Sequence, residues 1–349
     1  MTNAIDPRAL RRRVDSIGDE PPRSPVASSA ETQRSERVVA YERYEDFVSG
    51  DPDSKPTVLQ HFLGSLSGKP NCESDSYQDR DFDHCGTETI PRPVLFAKQG
   101  AELDEVEPSD VLQSGLGDCY LLAPLIAMAN VPEGRATIKA AIAERAIEAG
   151  APVYTVTLHR RDPILQDSFV PVQVTVSGVY AHGQAEPRDA GELHEVWPAV
   201  IEKAYAQYLG GYNQIARGGS VAFAMETLTG KSAEVIALEP PPGPVTSLVQ
   251  TALRALRIMP SGPGYAAHRL KSDLDTHKLV VFVSHPVLAV PNERGVSGFH
   301  AYAVVGMQDG ADGPVVKVRD PLDAMGQSLS IPYGELSHWF KFASVGSAR

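Results

Sequence analysis

"QSGLGDCYLLAPL", residues 113–125, sets a glutamine, a glycine-bearing turn and a cysteine directly ahead of an apolar run. Leu121, Leu122, Leu125, Ile126 and Ala129 recur at helical spacing, and Asp118 stands where an N-cap belongs. The spacing predicts a helix that begins at Cys119. A thiol in a first helical turn meets unpaired backbone N–H groups and the positive end of the dipole, and both favour thiolate over thiol. Taken alone, the same residues describe a small buried side chain in a core helix equally well. Pro124 falls inside this helix, removes one backbone donor and predicts a kink or a loosened turn.

Two later segments turn the balance toward chemistry. "SGFHAYAVVGM" places His300 at the start of a predicted strand, and "VKVRDPLD" places Asp320 at the end of the next. That separation suits two antiparallel strands joined by a turn, which would bring both side chains to one end of the pair. A helix would carry the nucleophile, and a sheet the base and its orienting acid.

Around this frame the chain reads as α+β, with helices first and strands gathered late. "PEGRATIKAAIAERAIEAG" predicts a second helix stopped by Gly150. "PVYTVTLHR" and "FVPVQVTVSG" alternate as strands, with Val170, Val172, Val174 and Val176 on one face. "EVWPAVIEKAYAQYLGG" predicts a third helix, with Pro198 in its first turn and Gly210 at its end. "TSLVQTALRALRI" predicts a fourth. "KLVVFVSH", "HAYAVVGMQ" and "PVVKVRDP" predict strands, and "YGELSHWFKF" a short amphipathic piece. Residues 1–92 are expected to be a polar N-terminal region, partly disordered or with one or two short helices between Val38 and Leu66, and the main domain is expected over 93–349.

Composition narrows the possible functions. The 349 residues are 42% hydrophobic and 22% charged, which is globular, and the formal net charge of -12 offers no phosphate-neutralising surface for nucleic acid or an anionic membrane. No run approaches the ~18 apolar residues of a membrane span. The start "MTNAIDPRALRRRVDS" lacks the apolar stretch of a secretory signal peptide, so synthesis and folding in the cytoplasm are expected. Three cysteines do not make a disulfide scaffold.

The chain resembles the catalytic core of the calpain family of cysteine proteases. The family's Gln-x-x-x-Gly-Asp-Cys-Trp/Tyr-x-Leu-Ala stretch has Gln113, Gly117, Asp118, Cys119, Tyr120, Leu122 and Ala123 in place. Its His-Ala-Tyr appears as His300-Ala301-Tyr302 and its Arg-Asn-Pro-Trp-Gly as Arg319 to Asp323. "VWPAVIEKAY" and "GGSVAFAMETLTG" match two further segments in the right order, and the likeness runs from Val94 to Val345. It implies a papain-like fold, with a helical subdomain carrying Cys119 and an antiparallel-sheet subdomain carrying His300 and Asp320.

By this resemblance Cys119 is the nucleophile and His300 the general base, with Asp320 in the place of the family's Asn as orienter. Gln113 and the Cys119 backbone N–H would form the oxyanion hole. Gly218 and Gly219 resemble a backbone edge for an extended substrate. The family's shielding Trp is replaced by Leu322. The resemblance implies endopeptidase action on protein substrates, with deamidase or transglutaminase chemistry on the same fold, or a non-catalytic binding module, as alternatives. A core lacking regulatory domains resembles the compact bacterial type, for which export by a signal-peptide-independent route as an effector, and a cognate inhibitor, immunity protein or secretion chaperone, are expected partners and fate.

No cofactor is assigned; calcium, on which family members can depend, finds no assignable ligand loop. Cys72, His84 and Cys85 fit no common zinc spacing and leave metal, a Cys72–Cys85 disulfide or plain loop residues open. Asp75, Asp79, Asp81 and Asp83 lack the EF-hand glycine and terminal glutamate and read as a solvated acidic loop. His159, His182, His268, His277 and His285 read as surface or loop residues; His194 and His338 flank helices without a nameable partner. Trp197 and Trp339 read as packing residues.

Overall fold

The computed structural model describes residues 81–348, apart from 85, 99, 101, 149–150, 166–167, 239–257, 260–264, 287 and 289–292. The helices expected between Val38 and Leu66, and Cys72 and Cys85, lie outside the described residues.

Helix α1 (Cys119–Ala129) is buried on every side from Tyr120 onward and continues through Pro124 without a break. Helix α2 (Pro132–Ala141) is shorter than its sequence implies. Residues Ile142–Glu148 form a strand, β1, which pairs antiparallel with β2 (Ala151–Arg161); β2 pairs in turn with β3 (Phe169–Ser177). The Ala- and Glu-rich composition of "IAERAIE" favours helix locally, but backbone pairing along the length of β2 satisfies every second group and wins. Val174 and Val176 are buried on β3 while Val170, on the same face, is exposed, because β3 runs outward from the core.

Helices α3 (Trp197–Leu209), α4 (Tyr212–Ile215) and α5 (Val221–Thr229) complete the helical half, with Gly210 ending α3 in a left-handed C-cap. The second half is a seven-stranded sheet. Its strands are β4 (Glu234–Ala237), β5 (Ile258–Met259), β6 (Lys278–Ser284), β7 (Ala301–Gly310), β8 (Gly313–Arg319), β9 (Ser328–Pro332) and β10 (Phe340–Ser347). The order is β5-β4-β10-β6-β7-β8-β9, antiparallel except for β4 and β5. The fourth helix expected over 246–258 falls outside the described residues save for Ile258, which is in β5. Helix α6 (Ala267–Asp275) and the short α7 (Leu336–Trp339) lie on the sheet side.

Strand β6 explains the layering. Leu279, Val281 and Val283 join the core shared with α1, α3 and α5, whereas Val280 and Phe282 join Leu270, Leu336 and Trp339 on the opposite face. Both faces are covered, so the sequence there is apolar at every position instead of alternating. Helix α1 packs directly on β6 and β7, which sets its N-terminus against the end of the sheet. Packing begins upstream of Pro93: Phe82 and Ile90 are buried, and Thr87–Thr89 pairs with Val179–Ala181. Among the described residues no helix is long and apolar enough to cross a membrane.

Candidate active site

The turn ahead of α1 is strapped on both sides. Gly117 donates its N–H to the Ala216 carbonyl at 3.0 Å and accepts from Gly218 at 3.1 Å. A Cβ on Gly117 would fall 2.3 Å from the Ala216 oxygen, so no other residue lets these two segments close. Gly219 is required for a similar reason, since its Cβ would lie 2.4 Å from the Tyr120 ring. The Gly218 N–H is therefore spent within the protein, and Gly219 is a glycine because Tyr120 packs against it. What remains of the edge for a substrate is the Gly218 carbonyl and the Gly219 backbone.

Cys119 opens α1, is partly exposed, and is a free cysteine. Its backbone N–H has no partner among the described residues. Asp118 ahead of it differs from expectation. Its carbonyl accepts from Leu121 and Leu122, but its carboxylate makes no cap hydrogen bond. That carboxylate turns into the interior beside Glu202 of α3, and both side chains are fully buried. Burial drives both acids above their ordinary range, and their mutual repulsion adds to it at Glu202, whose two oxygens accept the Ala185 N–H at 3.0 and 2.9 Å.

His300 and Asp320 meet as the strand arithmetic predicts. Ala303 pairs with Arg319 across β7 and β8, and His300 and Asp320 sit just beyond those positions. His300 Nε2 lies 2.6 Å from Asp320 Oδ1. That leaves Nδ1 for the sulfur, and His300 hydrogen-bonds Cys119. Burial opposes a charged ring, yet the charge on Cys119 and the Asp320 hydrogen bond outweigh it and raise the His300 pKa to about 10. Burial likewise works to raise Asp320, but His300, the Leu322 N–H at 2.8 Å and the Tyr302 hydroxyl hold its carboxyl below the usual range. Leu322 itself is 44% exposed, so its side chain does not shield the pair as a Trp would; its backbone holds the carboxylate instead.

Two residues set the histidine, Ser284 without a sequence signal and Tyr302 from the His-Ala-Tyr stretch. Ser284, at the end of β6 and buried, accepts the His300 N–H at 2.9 Å and donates to the His300 carbonyl at 3.2 Å. Tyr302 packs edge-on to the imidazole. Gln113 is buried, and its backbone N–H donates to the Pro321 carbonyl at 2.8 Å, which ties the glutamine to the Asp320 loop. Its Nε2 donates one hydrogen to the Leu116 carbonyl at 2.6 Å and keeps a second.

The other candidates disperse. His84 is exposed and pairs with Asp81; of the acidic loop, Asp75 and Asp79 lie outside the described residues, and Asp83 accepts the N–H groups of Tyr212 and Asn213 at 2.6 and 3.3 Å. His159 is half-buried on β2 with its ring against Gly230, a departure from the surface position expected. His277 pairs with Glu133 at 2.9 Å. Among the described residues no group of three or more His, Cys, Asp or Glu is arranged to hold a metal ion. The buried Asp110 is taken by Arg188, which also binds Glu102.

A thiol at the head of a buried helix, facing a histidine–carboxylate pair at the end of an antiparallel sheet, defines the papain-like class of cysteine proteases. The family profile described as "Calpain family cysteine protease" matches residues 88–327. The chain belongs to the calpain family. It is 31% identical over 150 residues to the calpain-type cysteine protease DEK1 of Arabidopsis thaliana, covering 42% of this chain and 6% of that protein. It is 27% identical over 231 residues to calpain-8 of Mus musculus, covering 61% of this chain and 28% of the relative. With calpain-A of Drosophila melanogaster it shares 34% identity over 154 residues, 41% of this chain and 16% of that one. The chain thus spans less than a third of the length of each of these relatives.

Proposed function

We propose that this chain is a cysteine endopeptidase acting through Cys119, His300 and Asp320. The observation that carries the reading is the division of the imidazole: Nε2 is committed to Asp320 at 2.6 Å, and the opposite nitrogen is left for Cys119. The sulfur of the Cys119–His300 ion pair attacks the scissile carbonyl carbon. The carbonyl oxygen takes the negative charge, stabilised by the Cys119 N–H and the second Nε2 hydrogen of Gln113. His300 gives its proton to the leaving nitrogen as the C–N bond breaks, which yields a free amine and a thioester. Water, deprotonated by His300, then attacks the thioester; the carboxylic acid leaves and the sulfur regains its starting state. An extended substrate would lie along Gly218 and Gly219.

Incubating a proteome with wild type and Cys119→Ala tests this. New peptide N-termini that require Cys119 are the expected result. Mass increases of +1 Da at glutamine without new termini would replace it with deamidation, and neither change in folded protein would favour a binding module. Export as an effector, and partners such as an inhibitor, an immunity protein or a chaperone, find no support among the described residues.

A further inference from the structure

Phe299, directly ahead of His300, has φ 53°. A bulky side chain rarely adopts this left-handed conformation, which stores strain in the backbone. The Phe299 N–H donates to the His285 carbonyl at 2.9 Å, which holds the turn, yet the residue is 52% exposed. Glycine would form the same turn without strain. Core packing does not account for the aromatic ring. The ring does lie beside the Gly218 segment: a Cβ placed on Gly218 would meet its Cε1 at 3.9 Å. Gly218 belongs to the segment strapped to the turn before Cys119. On the loop after Asp320, Leu322 is 44% and Met325 78% exposed. Exposed apolar side chains thus flank the dyad on both its sequence arms.

We propose that Phe299 is a specificity-determining residue: its ring walls the cleft opposite Gly218 and selects polypeptides with large apolar side chains beside the scissile bond. The inference rests on the endopeptidase reading above. An apolar substrate side chain pressed on the ring removes both surfaces from water. A charged one loses hydration and gains no partner from the ring.

The test compares wild type with Phe299→Gly and Phe299→Asn, two replacements that suit a left-handed backbone. Cleavage sites are mapped in a denatured proteome, and kcat/KM is measured on peptide pairs carrying Leu or Glu beside the scissile bond. Wild type should favour Leu. Both variants should lose roughly 10-fold of that discrimination, mainly through KM, while the melting temperature holds or rises. Unchanged preference, with cleavage still requiring Cys119, overturns the inference and leaves the endopeptidase reading standing. Lost preference with a lowered melting temperature in both variants also overturns it, because the ring would then be structural. Absence of Cys119-dependent cleavage in wild type would overturn the endopeptidase reading itself.

Discussion

Tyr302 stands edge-on to His300, with ring centroids 5.0 Å apart at an interplanar angle of 88°. Its buried hydroxyl accepts the Ser297 N–H at 2.7 Å and bonds Asp320. One side chain therefore fixes the imidazole plane, the loop before it and the carboxylate behind it. Tyr302→Phe keeps the ring contact and removes the hydroxyl. Loss of a hydrogen bond to a charged group costs about 1.5–3 kcal/mol. The expected result is a kcat lowered by roughly 10-fold or more, with little change in KM. Without this bond the Asp320 carboxyl titrates higher, so the acid limb of the pH–rate profile should move to higher pH.

Asp320 carries a charge where the family's residue carries none, and the geometry says what that charge does. Both His300 and the Leu322 N–H use the same oxygen, Oδ1. Asp320→Asn retains an oxygen there and can turn its amide toward the Tyr302 hydroxyl. Activity should fall by no more than about 10-fold, since the hydrogen bonds survive and only the charge is lost. The His300 pKa, raised to about 10 partly by Asp320, should come down, and the alkaline limb of the profile with it. Asp320→Ala should lose far more, because it orients nothing. In wild type, Asp320 contributes stability above its ordinary pKa of 3.8 and loses it as pH falls through the lower folded value.

The parts of this site that were legible in the sequence are those with local signatures. Cys119 opens a helix whose apolar spacing is visible residue by residue, and His300 and Asp320 bracket two strands that pair with each other. Pairings that depend on distant partners were not legible. Ile142–Glu148 has the composition of a helix and becomes a strand because β2 lies beside it. "YGELSHWFKF" predicts a short amphipathic piece, yet from Phe340 the chain becomes a strand that sits between β4 and β6 inside the sheet. Ser284 ends an apolar strand and carries no sign that it clamps His300. Asp118 looks like an N-cap until Glu202, from another helix, is placed beside it.

In the proposed mechanism Gln113 is a separate handle on the oxyanion. Its amide is anchored by the Leu116 carbonyl and its backbone by Pro321, so the free Nε2 hydrogen is held in place before substrate arrives. Gln113→Ala should lower kcat by about 10²–10³-fold, the usual cost of one oxyanion donor, with KM little changed. Leu116 would lose its partner in a buried setting, which costs about 1–3 kcal/mol of stability. Steady-state kinetics and urea titration of the same preparation separate the two effects. A fall in stability without a fall in kcat would remove Gln113 from the oxyanion site.

The buried acids behind Cys119 predict an unusual pH dependence of stability. Asp118 and Glu202 are both raised above their unfolded values, first by burial. The folded protein therefore binds more protons than the unfolded chain above the ordinary carboxylate range, and unfolding free energy falls as pH rises toward neutrality and beyond. His300, also raised, contributes in the same direction, and its stabilisation is lost as pH climbs through about 10. Glu202→Gln isolates the pair. It keeps an oxygen for the Ala185 N–H, removes one acid, and leaves His300 untouched. Because burial already favours the protonated acid, the amide should cost little stability at pH 5 and should remove the need to bury a charge at pH 8. Urea titrations at pH 5 and pH 8 should show wild type weaker at pH 8 and Glu202→Gln with a smaller difference between the two. Equal pH dependence in both proteins would mean that Asp118 and Glu202 share no buried proton, and that the first turn of α1 rests on another arrangement.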